Sequence, residues 1–216
     1  MAHRPLVKIC GISTAPTLAA ALDAGADMVG FVFFGPSPRN VTPAAAAALA
    51  ARVEGRARKV ALTVDADDAT IDAIVTALRP DLLQLHGREA PARAAALRAR
   101  TGLPVMKALG VSTAADLAPV GAYEGAVDWL LFDAKPPKDA TRPGGNALAF
   151  DWTILDGLKT GLPWLLSGGL DPLNVAEALT MTRAPGVDVS SGVESAPGVK
   201  DEAKIRAFVR AARGLS

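Results

Sequence analysis

The sequence has little cysteine, little histidine and almost no net charge. Cys10 is the only cysteine among 216 residues, and His3 and His86 are the only histidines. One cysteine excludes an internal disulfide, and two histidines leave little material for a zinc site. The 23 Lys and Arg residues nearly balance the 22 Asp and Glu residues, so composition indicates neither a nucleic-acid nor a membrane partner.

Long apolar runs and a leader pattern are absent as well. No run approaches the roughly 18 uncharged apolar residues of a membrane-spanning helix. Residues 1–5 lack the basic region and following apolar stretch of a secretory signal. We therefore expect a cytoplasmic protein.

Short apolar runs, bounded by Gly, Pro and Asp, alternate with helical patterns along the chain. Runs such as residues 28–34 and 129–132 are apolar throughout, which is typical of parallel strands covered on both faces. Between the runs lie segments with one apolar helical face, such as residues 71–78. Eight strands are predicted, beginning near Leu6, Met28, Lys59, Leu82, Pro104, Trp129, Pro163 and Gly186.

Eight strand–helix units favour a single (β/α)8 barrel over residues 1–216, near the small end of the size range of that fold. A doubly wound open sheet is the alternative, because periodicity does not show that a sheet closes. The longest irregular stretch, residues 134–149, is rich in Pro, Lys and Gly. We interpret it as a functional loop after the sixth strand.

Active sites of such barrels lie where the strands end and the following loops begin. Glycine and serine cluster after the last two strands, as Gly168 and Gly169 and as Ser190, Ser191 and Gly192. Glycine lets backbone N–H groups approach an anion, and the loops after strands seven and eight are the usual phosphate site. The pattern predicts phosphate binding, with simple tight turns as the alternative.

Cys10 and Asp133 end the first and sixth strands, which two other strands separate in a closed ring of eight. We expect the two side chains to face each other across a substrate. A thiol and a carboxyl so placed suit acid–base catalysis, in which one group removes a C–H proton and the other protonates a leaving oxygen. The alternative for Cys10 is a small buried hydrophobe, whereas an unpaired buried Asp133 would be costly.

Lys8 lies two residues before Cys10, so both side chains point to the same face of a strand. A free thiol has a pKa of about 8.5, so little thiolate exists at neutral pH unless a neighbour lowers that value. We hypothesise that the Lys8 ammonium favours the thiolate of Cys10. The alternative is that Lys8 pairs with an acidic residue in the barrel.

A set of segments in the same order resembles the signature segments of the phosphoribosylanthranilate isomerase family of tryptophan biosynthesis. They are residues 8–12, 30–33, 37–39, 84–87, 144–145, 150–152, 167–170 and 187–194. The resemblance implies a (β/α)8 barrel that converts N-(5-phosphoribosyl)anthranilate to 1-(2-carboxyphenylamino)-1-deoxyribulose 5-phosphate. This Amadori rearrangement needs no metal and no organic cofactor.

The same resemblance assigns roles to individual residues. It makes Asp133 the general acid that protonates the furanose ring oxygen, and Cys10 the general base that takes the C2′ proton. Arg39 matches the residue that holds the anthranilate carboxylate, for which a planar guanidinium is well shaped. Asp188 matches an active-site aspartate near the sugar. The phosphate loops correspond to Gly168, Gly169, Ser190, Ser191 and Gly192.

Four positions carry open questions. Gln84 and His86 match a family segment, where they either steady loops or contact substrate. Lys107 allows Schiff-base chemistry, but we prefer a structural role because Cys10 and Asp133 already account for the reaction. Ala147 stands where many members have glycine, which predicts an altered loop.

Three competing functions can be weighed against these residues. A metal-dependent sugar-phosphate epimerase needs clustered His and acidic ligands, which the sequence does not supply. The related isomerase of histidine biosynthesis uses an aspartate where Cys10 stands, although a dual specificity stays open. A catalytically silent phosphate-binding barrel would not need Cys10, Asp133 and Arg39 together. We expect a small-molecule substrate and a monomer or homodimer.

Overall fold

The computed structural model describes residues 4–135 and 150–214. Eight parallel strands form a closed barrel in which each strand pairs with its neighbours in the chain and β8 pairs with β1. The strands are β1 (Leu6–Cys10), β2 (Met28–Phe33), β3 (Arg58–Thr63), β4 (Leu82–Leu85), β5 (Val105–Val111), β6 (Trp129–Ala134), β7 (Trp164–Leu166) and β8 (Gly186–Val189). Each strand begins within one residue of its predicted start. The closed ring confirms the (β/α)8 barrel and excludes the open sheet.

Helices connect the strands on the outside of the barrel. They are α1 (Ala15–Asp23), α2 (Pro43–Ala50), α3 (Asp68–Leu78), α4 (Pro91–Thr101), α5 (Val120–Tyr123), α6 (Val175–Thr182) and α7 (Glu202–Ala212), with 3-10 helices over Ala114–Leu117, Trp152–Gly157 and Ser191–Val193. The buried residues of α3 include Ile71, Ile74 and Leu78, which confirms the predicted apolar face. Within the described residues, no helix is long and apolar enough to cross a membrane.

The helix expected after each strand is short and divided in the link between β5 and β6. That link holds a 3-10 helix over Ala114–Leu117 and the four-residue helix α5. Pro119 separates the two pieces, and proline cannot donate the backbone hydrogen bond that a continuous helix needs. The functional loop predicted over residues 134–149 lies outside the described residues from 136 onward, as does Ala147.

A short hairpin follows β8 and was not predicted. Its strands are β9 (Glu194–Ala196) and β10 (Val199–Lys200), which pair antiparallel. The turn between them is Pro197-Gly198, a dipeptide that marks turns and was the available signal in the sequence. Strands of two and three residues are too short to show periodicity.

Apolar side chains pack on both faces of the barrel wall. The larger core lies between the strands and the surrounding helices. The smaller core fills the inside of the barrel with a layer made of Met28, Val60, Leu82, Met106, Ala108, Leu131 and Leu165. The polar residues of the barrel mouth lie directly above this interior layer, at the carboxyl-terminal ends of the strands.

Candidate active site

The alternation of side chains along the strands brings polar groups into the barrel mouth. Residues two apart on a strand face the same side. Leu131 belongs to the interior layer, so Asp133, further along β6, points inward above it. Leu6 packs against the same layer, which directs Lys8 and Cys10 inward on β1. The structure therefore places Cys10 and Asp133 at the same carboxyl-terminal end of the barrel, while their facing each other across a substrate stays a prediction.

Lys8 forms a buried ion pair next to Cys10. Its ammonium nitrogen Nζ donates a hydrogen bond to Asp188 Oδ1 at 2.8 Å, and the Lys8 side chain has no solvent exposure. The two residues are register partners on β1 and β8. A buried charge needs such a partner. Lys8 therefore pairs with an acidic residue, the alternative considered from the sequence, and its ammonium also lies beside Cys10.

The protonation of Cys10 reflects this ion pair and its burial. Burial raises the pKa of the Cys10 thiol, the Lys8 ammonium lowers that pKa in part, and the Asp188 carboxylate raises it again. The net direction is upward, so the thiol is the main form of Cys10 in the free protein at neutral pH. The effect of Lys8 has the direction expected from its spacing, but burial outweighs it.

Alkylation of Cys10 by iodoacetamide, measured against pH, separates these effects because only the thiolate reacts. We expect the midpoint of the wild type to lie above that of an exposed thiol. Lys8→Met is expected to move the midpoint upward, since it removes the cation and leaves Asp188 unpaired. Asp188→Asn is expected to move it downward, because the unpaired ammonium then acts on Cys10 alone. Shifts in the same direction would contradict this description of the site.

His86 connects the end of β4 to Asp133. Its Nε2 lies 3.2 Å from Asp133 Oδ2, and its Nδ1 lies 3.0 Å from Gln84 Nε2. An amide nitrogen can only donate, so the contact with Gln84 assigns the imidazole proton to Nε2, which can donate it to Asp133 whenever that residue is a carboxylate. The other carboxylate oxygen, Oδ1, accepts from the backbone N–H of Ala134 at 2.9 Å. The sequence left the roles of Gln84 and His86 open, and the structure brings His86 to the predicted general acid.

The two glycine loops lie against one another and against β6. A Cβ atom on Gly168 would clash with the backbone nitrogen of Ala134, and one on Gly192 would clash with the carbonyl oxygen of Leu170. Only glycine allows such close approaches. The loop after β7 therefore contacts β6 on one side and the loop after β8 on the other.

The loop after β8 is in turn joined to β1. Ser190 Oγ donates a hydrogen bond to the carbonyl oxygen of Cys10 at 3.2 Å. The predicted phosphate-loop residues are all partly exposed along this rim, and they are Gly168, Gly169, Ser190, Ser191 and Gly192. A continuous series of contacts thus runs around the mouth from Asp133 to Cys10.

Arg39 follows β2 and is almost fully buried against the hairpin after β8. Its Nε and Nη2 donate to the two carboxylate oxygens of Glu194 at 2.7 and 2.8 Å. Lys200 also donates to Glu194, at 2.7 Å. Glu194 and Lys200 were absent from the predicted site because nothing local in the sequence joins them to Arg39. Within the described residues, the hydrogen bonds to Glu194 occupy Nε and Nη2 of Arg39 and do not involve its Nη1.

Lys107 lies on the outer side of the barrel wall, since its neighbour Met106 belongs to the interior layer. Its Nζ donates to Glu89 at 2.8 Å and to the carbonyl oxygen of Gly87 at 2.7 Å. These contacts tie β5 to the loop that follows β4 and His86. They agree with the structural role preferred for Lys107. Among the described residues, no cluster of three or more His, Cys, Asp or Glu side chains is arranged to hold a metal ion.

The sequence as a whole is similar to a known protein family. The chain matches the family model described as N-(5'-phosphoribosyl)anthranilate (PRA) isomerase over residues 7–211. It is 64% identical over 208 residues to an N-(5'-phosphoribosyl)anthranilate isomerase of Bradyrhizobium sp. strain BTAi1, an alignment that covers 96% of this chain and 95% of the relative. A relative of the same name from Paramagnetospirillum magneticum is 61% identical, with 96% and 97% covered.

Solved structures agree with the sequence match. Phosphoribosyl anthranilate isomerase from Thermotoga maritima superimposes with a TM-score of 0.86 at 33% identity, covering 98% of this chain and 100% of that one. Another phosphoribosyl anthranilate isomerase, in complex with reduced 1-(o-carboxyphenylamino)-1-deoxyribulose 5-phosphate, gives a TM-score of 0.83 at 32% identity with the same coverage. On the family match and these likenesses, the chain belongs to the N-(5'-phosphoribosyl)anthranilate isomerase family.

Proposed function

We propose that this protein rearranges N-(5'-phosphoribosyl)anthranilate to 1-(2-carboxyphenylamino)-1-deoxyribulose 5-phosphate, an isomerisation in tryptophan biosynthesis. The family membership supports the substrate and the reaction class. The observation that carries the residue assignment is the placement of Cys10 and Asp133, both inward and both at the carboxyl-terminal end of the barrel. The expectation of a cytoplasmic monomer or homodimer goes with this proposal.

Asp133 is the general acid of the proposed mechanism. Its protonated carboxyl gives a proton to the furanose ring oxygen, the bond between that oxygen and C1′ breaks, and a protonated Schiff base forms with the anthranilate nitrogen. Once Asp133 is a carboxylate, the His86 Nε2–H donates to it and stabilises the charge left by the transfer. The backbone N–H of Ala134 does the same at the other oxygen.

Cys10 is the general base. Its thiolate takes the proton from C2′ of the Schiff base, the electron pair moves toward the nitrogen, and an enolamine results. The enol then loses its hydroxyl proton as C1′ gains one, which gives the ketone. Because burial raises the pKa of Cys10, its thiol must give up its proton to solvent before this step. Lys8 counteracts the effect of burial on this pKa and so increases the fraction of Cys10 that is thiolate.

The remaining predicted residues bind the substrate in this proposal. The glycine–serine loops after β7 and β8 hold the phosphate, since their backbone N–H groups are free of side-chain obstruction. Arg39 presents Nη1 to the anthranilate carboxylate while Glu194 holds the rest of its guanidinium. Asp188 keeps the Lys8 ammonium next to Cys10 and lies near the sugar.

A fluorescence assay tests the proposed function. Phosphoribosylanthranilate is made in situ from anthranilate, and its fluorescence should fall when the protein is added. Reaction faster than the spontaneous loss supports the isomerase. No acceleration, together with phosphate binding, would instead favour the catalytically silent barrel. Turnover of the corresponding substrate of the histidine-pathway isomerase, run in parallel, measures whether the protein has a second specificity.

The contact between His86 and Asp133 leads to a prediction for the variant His86→Ala. We expect kcat to fall by about 10- to 100-fold, since one charge-assisted hydrogen bond of about 1.5–3 kcal/mol to the carboxylate is lost. The KM should stay within about threefold, because His86 is not assigned to substrate binding. The alkylation rate of Cys10 serves as an internal control and should not change. An unchanged kcat would remove His86 from the mechanism.

A further inference from the structure

A buried cluster of three charged side chains joins the predicted binding residue Arg39 to the loop after β8. Glu194 is at its centre and accepts two hydrogen bonds from Arg39 and one from Lys200. The side chains of all three are at most 4% exposed. Arg39 and Glu194 are 155 residues apart in the chain, so the cluster exists only in the folded barrel.

The cluster is not neutral. The three acceptors around Lys200 Nζ are Glu194 Oε1, the carbonyl oxygen of Ser190 and Ser190 Oγ, at 2.7, 2.8 and 3.2 Å. Three acceptors call for the three N–H donors of an ammonium. Burial opposes the charge of Glu194, but Arg39 and Lys200 hold the pKa of its carboxyl below the usual range. Burial lowers the pKa of the Lys200 ammonium, and the Glu194 carboxylate counteracts that effect. With Arg39 and Lys200 both charged, two cations face one anion, and one positive charge is uncompensated.

Buried charges are stable when they are paired. Within residues 4–135 and 150–214, no acidic side chain other than Glu194 hydrogen-bonds to Arg39 or Lys200. The Asp188 carboxylate nearby is already paired with Lys8. The excess charge therefore lies between two elements that the proposed function assigns to substrate anions, and a bound carboxylate or phosphate supplies the missing negative charge.

The hairpin of β9 and β10 fixes the position of the cluster through contacts made by its turn. The backbone N–H of Gly198 donates to Glu194 Oε2 at 3.1 Å. A Cβ on Gly198 would lie 2.5 Å from the carbonyl oxygen of Pro38, so the turn packs directly against the residue before Arg39. One hairpin thus contacts the loop after β2 through Gly198 and the loop after β8 through Lys200.

We propose that Glu194 and Lys200 are positioning residues that couple the two anion sites: Glu194 orients Arg39 for the carboxylate, and Lys200 orders Ser190 and supplies positive charge to the phosphate loop. The inference rests on the proposed function for the identity of the two anions. Neither residue needs to touch the substrate, because each acts through a neighbour that does.

The variant Lys200→Met tests the phosphate half of this proposal, with Lys204→Met as its matched control. Lys204 lies four residues further on and donates to the backbone carbonyl of Glu194 at 2.7 Å, but it does not contact Ser190. We expect Lys200→Met to raise the KM for phosphoribosylanthranilate about 10-fold or more. We also expect it to abolish most of the increase in Tm that millimolar inorganic phosphate gives the wild type. Lys204→Met should keep both values near those of the wild type.

The variant Glu194→Gln tests the charge argument, because it removes the only anion of the cluster. We expect the KM to rise, since Arg39 loses its bidentate partner. Stabilisation by inorganic phosphate should be retained or increased, since the local positive charge is now larger. A merely structural hairpin would weaken phosphate binding in both variants alike.

A loss of phosphate stabilisation in Lys200→Met, with retained or increased stabilisation in Glu194→Gln, supports the proposal. A loss in both variants, or a Lys200→Met protein that behaves like Lys204→Met, overturns it. If Lys200→Met does not fold, Lys200→Arg replaces it and should retain most of the phosphate stabilisation, whereas a complete loss contradicts the role of the charge. A wild type that binds phosphate but does not turn over phosphoribosylanthranilate would overturn the proposed function instead, while the phosphate comparison among the variants would still stand.

Discussion

Replacing Cys10 by alanine is expected to lower kcat by about 10²- to 10⁴-fold, the contribution typical of a positioned general acid or base. Alanine removes the only group in the described part of the mouth that is proposed to take the C2′ proton. The KM should remain within about threefold, since the phosphate loops and Arg39 are untouched. Steady-state kinetics of phosphoribosylanthranilate consumption measures both values.

Val32→Ala provides the matched control for this variant. Val32 belongs to the same small apolar cluster as Cys10 and Leu62 in the barrel mouth, so its truncation disturbs the packing without removing an ionisable group. We expect its kcat to stay within about threefold of the wild type. A Cys10→Ala protein that keeps full turnover would show that Cys10 is a packing residue, as many single cysteines are.

Replacing Asp133 by asparagine is expected to lower kcat by about 10²- to 10⁴-fold as well, for a different reason. Asparagine has nearly the same shape and still contacts His86, but it carries no acidic proton for the ring oxygen. Ring opening then becomes limiting, and a substrate analogue that is already open should bind with unchanged affinity. Kinetics with the natural substrate and titration with the reduced product analogue separate the two effects.

Asp128→Asn is the control for the change of an aspartate near β6. Asp128 lies directly before β6, at the opposite end of the barrel, where its Oδ2 accepts from the backbone N–H of Val105 at 2.9 Å. We expect this variant to lose some stability and to keep its kcat. Full activity of Asp133→Asn would assign ring opening to another acid, and an equal loss in Asp128→Asn would trace the effect to stability.

The strands of the barrel could be predicted because each one is a short, continuously apolar run that must be covered on both faces. The same reasoning failed where a local feature overrides the pattern. Pro119 divides the helical segment between β5 and β6, and the hairpin strands β9 and β10 are too short for a period to appear.

The candidate site was predictable to the extent that it depends on position along a strand. Alternation places Lys8 and Cys10 on one face, and the ends of β1 and β6 lie on one side of any parallel barrel. The partners of these residues were not predictable in the same way. Asp188 meets Lys8 only because β8 closes the ring against β1, and that pairing changes what Lys8 does to the Cys10 thiol.

The contact between His86 and Asp133 is a second example of a contact that could not be predicted from the sequence. The sequence marks both residues as polar ends of strands, yet β4 and β6 are not neighbours in the barrel. Their side chains meet because both point inward across the mouth above β5. Register and closure, which decide such meetings, depend on contacts between distant parts of the chain, and residue spacing does not encode them.

The most direct test of the account is a crystal structure of this protein with the reduced product analogue. We predict that the phosphate lies on the loops after β7 and β8. The Cys10 sulfur should lie about 3–3.5 Å from C2′, the separation of atoms poised to react, and the Asp133 carboxyl should lie beside the hydroxyl that derives from the ring oxygen, on the opposite side of the sugar. A ligand bound elsewhere, or one that has Cys10 and Asp133 on the same side or turned away from it, would contradict the proposed mechanism.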